Sequence, residues 1–221
     1  MKITLNLDAG PLEIITPDGD GTQWPMGHPF GYLNRPREIP PTQRYLNNAY
    51  SLAKTLPKGQ HVVELFGGIG IYPKLFWPLL EPLSWTSVDI DESLGQYYQE
   101  PRGTFVAGDA YKFDIPSTTG ILYLDHPTGT IQTLARNLDG RRPLYERIKQ
   151  MRIPHIQIAD MGYYWCHLAN HHPWYLETFG IKPTKENYHT LWAKWMLDNL
   201  HYKMVDYRTG GGCQLFHCVP A

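Results

Sequence analysis

The chain has 221 residues, of which 42% are hydrophobic and 19% charged, and its formal net charge is −1. This length accommodates one domain with a full core and is short for two. It contains no apolar run of the roughly 18 residues that a membrane span requires, and its first residues alternate apolar and polar side chains, unlike a secretory signal. The three cysteines form no CxxC pair and no disulfide framework. We therefore expect a cytoplasmic protein that does not associate with membranes.

The N-terminal part of the chain is predicted to be an arm. Two strand-like runs, at residues 2–7 and 12–16, flank the turn-forming sequence DAGP and predict a hairpin. Residues 16–41 are rich in proline and glycine and predict a loop. Loops of this length in compact domains are usually functional lids or disordered arms. We therefore divide the chain into an N-terminal arm, residues 1–44, and a main domain, residues 45–221.

Strands and helices alternate along the main domain. Near-continuous apolar runs predict strands at residues 61–66, 84–91, 103–110, 120–126 and 153–161. Helical segments are predicted at 42–56, 71–83, 92–99, 130–138, 143–151 and 185–200, and two last strands surround the triple glycine at 210–212. Apolar strands separated by helices predict an α/β fold with a mostly parallel sheet, helices on both faces and an antiparallel C-terminal hairpin.

A glycine-rich turn joins the first of these strands to its helix. The segment ELFGGIG places Gly67, Gly68 and Gly70 at this junction, where bare backbone permits a tight turn and the close approach of a ligand. Glu64 lies within the apolar strand, where a carboxylate is costly without a partner. Asp89 ends the next strand, where an acidic side chain can accept hydrogen bonds from both hydroxyls of a ribose. The glycine order differs from GxGxxG, and no triphosphate-binding Lys-Ser/Thr follows.

The stretch ELFGGIG resembles the first motif of the class I S-adenosylmethionine-dependent methyltransferases, an acidic residue followed by Gly-x-Gly. The resemblance spans residues 45–218 and continues in AGDAYKF and ILYLDHPTGT. It implies a Rossmann-like methyltransferase fold with S-adenosylmethionine as cofactor. The cofactor positions that it implies are Glu64, Phe66, Gly67, Gly68, Gly70, Asp89, Ile90, Asp109 and Ala110. By this resemblance Glu64 and the glycines bind the amino-acid end of the cofactor, Asp89 its ribose and Asp109 its adenine amino group.

The fourth predicted strand ends where this family places its catalytic residues. Asp125, His126, Pro127 and Thr128 occupy the position at which amino-methylating nucleic-acid enzymes have Asp/Asn-Pro-Pro-aromatic. The acid and the second proline are kept, whereas His126 and Thr128 replace the first proline and the aromatic residue. The resemblance implies that Asp125 binds the amino group that receives the methyl, and His126 is a candidate general base. An Asp that only caps the following turn is the structural alternative.

Aromatic and basic side chains outside these motifs are further candidates. Trp24, Phe30 and Tyr32 lie in the predicted loop and are candidates for a lid over the cofactor or substrate. The basic residues of segment 141–152 could contact phosphates, with a solvated helix face as the alternative.

The sequence predicts a methyltransferase whose acceptor is an amino or ring nitrogen of a nucleic-acid base. Residues 141–221, with 10 basic and 6 acidic side chains, carry a net charge of +4 that suits a polyanion. One alternative is a small-molecule O- or N-methyltransferase, including a magnesium enzyme that uses Asp125 and Asp160. Another is a methyltransferase-fold protein that has lost catalysis and serves as a binding or assembly module. His167 and His171 have a metal-binding spacing without an evident third ligand, and we predict no metal site.

Overall fold

The computed structural model of the protein describes residues 2–16, 39–125, 142–160, 180–181, 184, 186–210 and 213–221. Several predictions lie outside these residues: the lid residues Trp24, Phe30 and Tyr32, the motif residues His126, Pro127 and Thr128, the helix at 130–138, and the histidines at 167 and 171.

The N-terminal hairpin forms as predicted and packs on the main domain. Strands β1 (Lys2–Leu7) and β2 (Gly10–Ile15) are antiparallel, and their inward side chains share one core with helix α1 (Ile39–Ala53). The side-chain amide of Gln99 binds both backbone groups of Ile15, accepting from its N–H at 2.9 Å and donating to its carbonyl at 2.7 Å. The hairpin is therefore tied to the main domain, and the domain boundary at residue 44 stays a prediction.

The remaining strands of the described chain form one seven-stranded sheet in the order β5-β4-β3-β6-β7-β9-β8. These strands are β3 (His61–Leu65), β4 (Ser84–Asp89), β5 (Thr104–Ala107), β6 (Thr119–Leu124), β7 (His155–Asp160), β8 (Tyr202–Gly210) and β9 (Cys213–Pro220). Neighbours among β3 to β7 are parallel, and β9 is antiparallel to both β7 and β8. The predicted mostly parallel sheet with an antiparallel C-terminal hairpin is confirmed.

Helices cover both faces of the sheet. One core lies between the sheet, α1, α2 (Ile71–Leu80) and the N-terminal hairpin, and the other lies under α3 (Arg142–Met151) and α4 (Tyr188–Leu200). All six residues of β6 are buried, as expected for a strand covered on both faces. The segment predicted as a helix at 92–99 is a 3₁₀ helix, Glu92–Tyr97. No helix within the described ranges has the length and apolarity to cross a membrane.

The strand order reverses at β3, and this reversal determines where a ligand would bind. β4 and β5 lie on one side of β3, and β6 and β7 lie on the other. In open α/β sheets, ligands bind outside the carboxyl ends of the strands at such a switch point. Because β3 to β6 are parallel, the glycine turn after β3 and the residues that follow β4, β5 and β6 all fall on this edge.

Candidate functional site

Hydrogen bonds to β4 hold the glycine turn after β3 in a tight conformation. The N–H groups of Phe66 and Gly67 both donate to the carbonyl of Val88 on β4, at 2.9 and 3.1 Å. Phe66, Gly68 and Gly70 have φ values of 67°, 52° and 70°, in the left-handed region that glycine adopts without strain. Gly70 immediately precedes α2, so that the turn converts the end of β3 directly into that helix.

Side chains of the protein itself fill the space that two of these glycines leave. A Cβ at Gly70 would lie 2.3 Å from the ring of Tyr98, and a Cβ at Gly67 would lie 2.9 Å from the carboxyl of Glu64 and 2.8 Å from Ser87. The glycines are therefore required for packing within the chain. Their predicted contact with a cofactor stays a prediction.

Glu64 is buried beneath this turn, with 1% of its surface exposed. Its carboxyl accepts hydrogen bonds from Ser87 Oγ at 2.5 Å and from Trp85 Nε1 at 3.1 Å, and Tyr98 Oη lies 3.0 Å from the same Ser87 hydroxyl. Burial, reinforced by the charge of Asp125, raises the pKa of Glu64 to about 8. At neutral pH this carboxyl is therefore mostly protonated. Its hydrogen bonds lie within the core, and its binding of a cofactor stays a prediction.

The end of β4 presents an acid next to an exposed apolar side chain. Asp89 accepts hydrogen bonds from the backbone N–H of Gly68 at 3.0 Å and of Asp91 at 3.1 Å. Its carboxylate thus fixes the glycine turn. The two carboxylate oxygens have about four lone-pair sites between them and can accept further hydrogen bonds. Ile90, the next residue, is 74% exposed. An acceptor beside a bare apolar surface suits a ribose with its attached base.

The segment after β5 adds a second acid to this edge. The Asp109 side chain is 34% exposed, accepts a hydrogen bond from the N–H of Tyr111 at 3.0 Å and pairs with Lys112 at 3.3 Å. Ala110 beside it is buried. The ring of Tyr111 meets that of Phe66 edge-on, with centroids 5.1 Å apart, so this segment contacts the glycine turn.

Asp125 follows β6 and is buried, with 2% of its surface exposed. Tyr45 of α1 donates a hydrogen bond from its hydroxyl to Asp125 Oδ1 at 2.7 Å, and Tyr72 of α2 bonds the same carboxyl. Burial raises the pKa of Asp125 to about 7, although both tyrosine hydroxyls act to lower it and the Asp89 charge raises it further. Near neutral pH this carboxyl can therefore exchange a proton.

The structure brings Glu64, Asp89, Asp109 and Asp125 from four strand ends to one edge, where Asp89 is 9% exposed and the Asp109 side chain 34% exposed. The chemistry of this edge suits the adenosine half of S-adenosylmethionine. Asp89 and Asp109 offer acceptors for hydroxyl and amino groups, and Ile90 offers an apolar face. Among the described residues, no group of three or more His, Cys, Asp and Glu side chains could hold a metal ion. Asp160, a residue of the magnesium alternative, ends β7.

Three tyrosines of this site were missing from the sequence prediction. Tyr45, Tyr72 and Tyr98 lie within the predicted helical segments 42–56, 71–83 and 92–99, and a tyrosine on a buried stripe needs a partner for its hydroxyl. That requirement is the signal that could have identified Tyr45 and Tyr72.

One candidate of the basic segment has a structural role. Arg147 donates to the backbone carbonyls of Phe113 at 3.1 Å and Tyr111 at 2.9 Å. Its guanidinium therefore fixes the loop that follows β5, and this use competes with the predicted contact to phosphate.

Comparisons with known proteins agree with this architecture. The sequence matches no protein-family model and no curated protein. Among solved structures, the chain is similar to one from a complex between the Haloferax volcanii Trm112 methyltransferase activator and its proposed methyltransferase (TM-score 0.55, 13% identity, 90% of this chain and 100% of that chain). It is also similar to the methyltransferase domain of bacterial CtHen1-CN (0.56, 13%, 81% and 99%) and to the 16S rRNA methylase RmtB (0.52, 14%, 87% and 69%).

Proposed function

From its class I methyltransferase fold, we propose that this chain is an S-adenosylmethionine-dependent methyltransferase. One observation carries the proposal: acidic residues follow three of the parallel strands at the topological switch point, next to the glycine turn. Asp89 is the last residue of β4, and Asp109 and Asp125 follow β5 and β6. A sheet that served only as a scaffold would gain no stability from gathering three carboxyls at one edge, because like charges repel.

In this proposal, each residue of the edge binds a different part of the cofactor. Bound there, S-adenosylmethionine would supply a methyl group activated by its sulfonium. Asp89 would accept hydrogen bonds from the ribose, Asp109 would accept one from the adenine amino group, and Ile90 would contact the adenine ring. The backbone at Gly68 and Gly70 would bind the amino-acid end. Alignment of this group with the acceptor accounts for most of the rate gain in an in-line displacement.

We propose a base nitrogen of a nucleic acid as the acceptor. Transfer would form a bond between the nitrogen and the methyl carbon while the carbon–sulfur bond of the sulfonium breaks, which leaves the demethylated cofactor as a neutral thioether. The nitrogen would lose its proton to the Asp125 carboxylate, which follows β6. The supporting features are the ELFGGIG form of the turn and Asp125 with Pro127 after β6. One of the similar structures is named a 16S rRNA methylase, which agrees with this acceptor class.

Calorimetric titration with S-adenosylmethionine and its demethylated product tests the cofactor assignment. We expect micromolar binding by the wild type and a tenfold or larger loss in Asp89→Ala, because a lost hydrogen bond to a charged group is worth about 1–3 kcal/mol. Absence of binding at millimolar ligand would refute the assignment and leave the glycines with a packing role alone.

Transfer of a tritiated methyl group to RNA, DNA and metabolite fractions tests the acceptor. Incorporation into nucleic acid that disappears in Asp125→Asn, with unchanged cofactor affinity, is the expected result. Incorporation only into metabolites would replace nucleic acid by a small-molecule acceptor. Cofactor binding without transfer to any fraction would favour a binding module.

A further inference from the structure

The N-terminal helix α1 contributes directly to the candidate catalytic edge. Tyr45 lies 80 residues before Asp125, is 3% exposed and donates its hydroxyl to Asp125 Oδ1 at 2.7 Å. The hydroxyls of Tyr45 and Tyr72 also contact each other. The two rings stack, with centroids 6.2 Å apart and planes 24° apart. Two tyrosines from two helices therefore hold one carboxyl.

We propose that Tyr45 is a positioning residue for Asp125, which holds the carboxyl in the orientation and ionisation state needed to take a proton from the methyl acceptor. This inference rests on the proposed transferase function. A phenol that donates a hydrogen bond to a carboxylate stabilises the ionised form of the carboxyl group. Only this ionised form can take a proton from the nitrogen that receives the methyl group. Hydrogen bonds from two tyrosines also leave the carboxyl little freedom to rotate, so it keeps one orientation.

The surroundings of Asp125 explain why such support is needed. Among the described residues, the titratable groups that interact with it are Tyr45 from α1, Tyr72 from α2, Glu64 from β3 and Asp89 at the end of β4. Burial and the Asp89 charge disfavour its ionisation, and the two tyrosine hydroxyls oppose that effect. Without Tyr45, more of the protein at neutral pH would carry Asp125 in the protonated form.

Tyr45→Phe removes the hydroxyl and keeps the ring, so the core contacts of α1 are retained. Tyr50→Phe is the matched control, because it removes a hydroxyl from the same helix while its ring packs elsewhere, near Phe76. In the full chain, the titration of Asp125 is followed by carboxyl ¹³C resonances of aspartate-labelled protein, assigned with Asp125→Asn. We expect Tyr45→Phe to raise the midpoint by about 0.5–1 pH unit, since one hydrogen bond changes such an equilibrium roughly three- to tenfold.

The rate of methyl transfer gives the second readout, with tritiated S-adenosylmethionine and whichever fraction the wild type methylates. We expect the rising limb of the pH profile of Tyr45→Phe to move to higher pH by the same number of pH units as the Asp125 midpoint. The KM for the cofactor should stay within twofold of the wild-type value. Tyr72→Phe should shift the limb in the same direction, and Tyr50→Phe should leave it in place.

The outcomes separate this inference from the proposed function. An Asp125 midpoint and a pH profile in Tyr45→Phe that equal those of the wild type would overturn the positioning role. Lack of transfer by the wild type with every fraction would instead refute the proposed function. In that case, the carboxyl titration alone decides whether Tyr45 controls Asp125.

Discussion

Replacement of Glu64 by glutamine tests whether the glycine turn is built over a neutral buried carboxyl. Glu64 is 1% exposed and accepts hydrogen bonds from Ser87 and Trp85. A glutamine has nearly the same shape, can accept the same two hydrogen bonds and carries no charge at any pH. The Glu64→Gln variant therefore removes one titratable group and leaves the packing almost unchanged.

The sign of the pH effect follows from the two pKa values of Glu64. Its ordinary pKa is 4.5, and burial raises it to about 8 in the folded protein. Between these values the unfolded chain has lost a proton that the folded protein retains, so rising pH favours unfolding. The contribution of Glu64 to stability is complete below about pH 4.5, declines through this window and stops declining above about pH 8.

The expected magnitude is within reach of an ordinary unfolding experiment. Between pH 7 and pH 9, integration of the linkage relation gives a loss of about 1.4 kcal/mol from Glu64. Asp125, whose pKa is about 7, adds a loss of about 0.4 kcal/mol over the same range. Burial raises the pKa of Cys218 from 9.0 to about 12, so this thiol adds a further loss of about 0.4 kcal/mol. In the folded protein His217 titrates below this range, since burial lowers its pKa to about 4. The wild type should therefore lose about 2 kcal/mol, and Glu64→Gln about 0.8 kcal/mol.

The assay is urea unfolding of both proteins at pH 7, 8 and 9, followed by tryptophan fluorescence. Glu92→Gln, at an exposed position of the 3₁₀ helix, is the control and should follow the wild type. A wild-type free energy of unfolding that stays level from pH 7 to pH 9 would refute the reasoning. So would a Glu64→Gln variant that declines as steeply as the wild type.

Three further variants test separate parts of the site. Gly70→Ala places a Cβ 2.3 Å from the Tyr98 ring at φ 70° and should lower the free energy of unfolding by about 1–3 kcal/mol in urea titration; wild-type stability would mean that the ring moves aside freely. Asp89→Ala should release the Gly68 amide and weaken cofactor binding at least tenfold by calorimetry, and unchanged affinity would remove Asp89 from the cofactor site. Arg147→Met keeps the apolar stem but loses two hydrogen bonds to backbone carbonyls, so it should destabilise the protein by about 1–3 kcal/mol. A variant that loses only RNA affinity would favour the phosphate role instead.

The sheet and its functional edge could be predicted because their signals are local in sequence. The run around β6 is apolar at every position except its ends, and burial on both faces is the only environment that suits it. Asp89 ends β4 and Asp125 directly follows β6, so a parallel sheet had to bring them to one edge. The hairpin followed from strict alternation around a turn sequence.

The internal contacts of the site could not be predicted, because they join residues far apart in the chain. Tyr45 contacts Asp125 across 80 residues, and the Tyr98 ring packs on Gly70 although α2, β4 and the 3₁₀ helix lie between them in the chain. The glycine turn illustrates the difficulty. A residue without a Cβ can make room for a ligand or for a neighbouring side chain, and only the packed structure shows that Tyr98 and Glu64 take part of that room.

Glu64 belongs to a row of buried polar side chains that crosses the sheet. In register on neighbouring strands, the row consists of Ser87, Glu64, Tyr123, Gln157 and His217. Within the described part of the chain, Tyr123 Oη and Gln157 Nε2 have no hydrogen-bond partner, and burial of such atoms costs free energy. Apolar side chains would pack here at lower cost, so selection for stability alone does not explain the row.

Tyr123 lies two residues before Asp125, which connects the row to the proposed catalytic edge. Polar groups kept at a cost in stability beside titratable carboxyls are typical of functional sites. Glu64→Gln should therefore be more stable than the wild type at pH 9 and should also perturb the titration of Asp125.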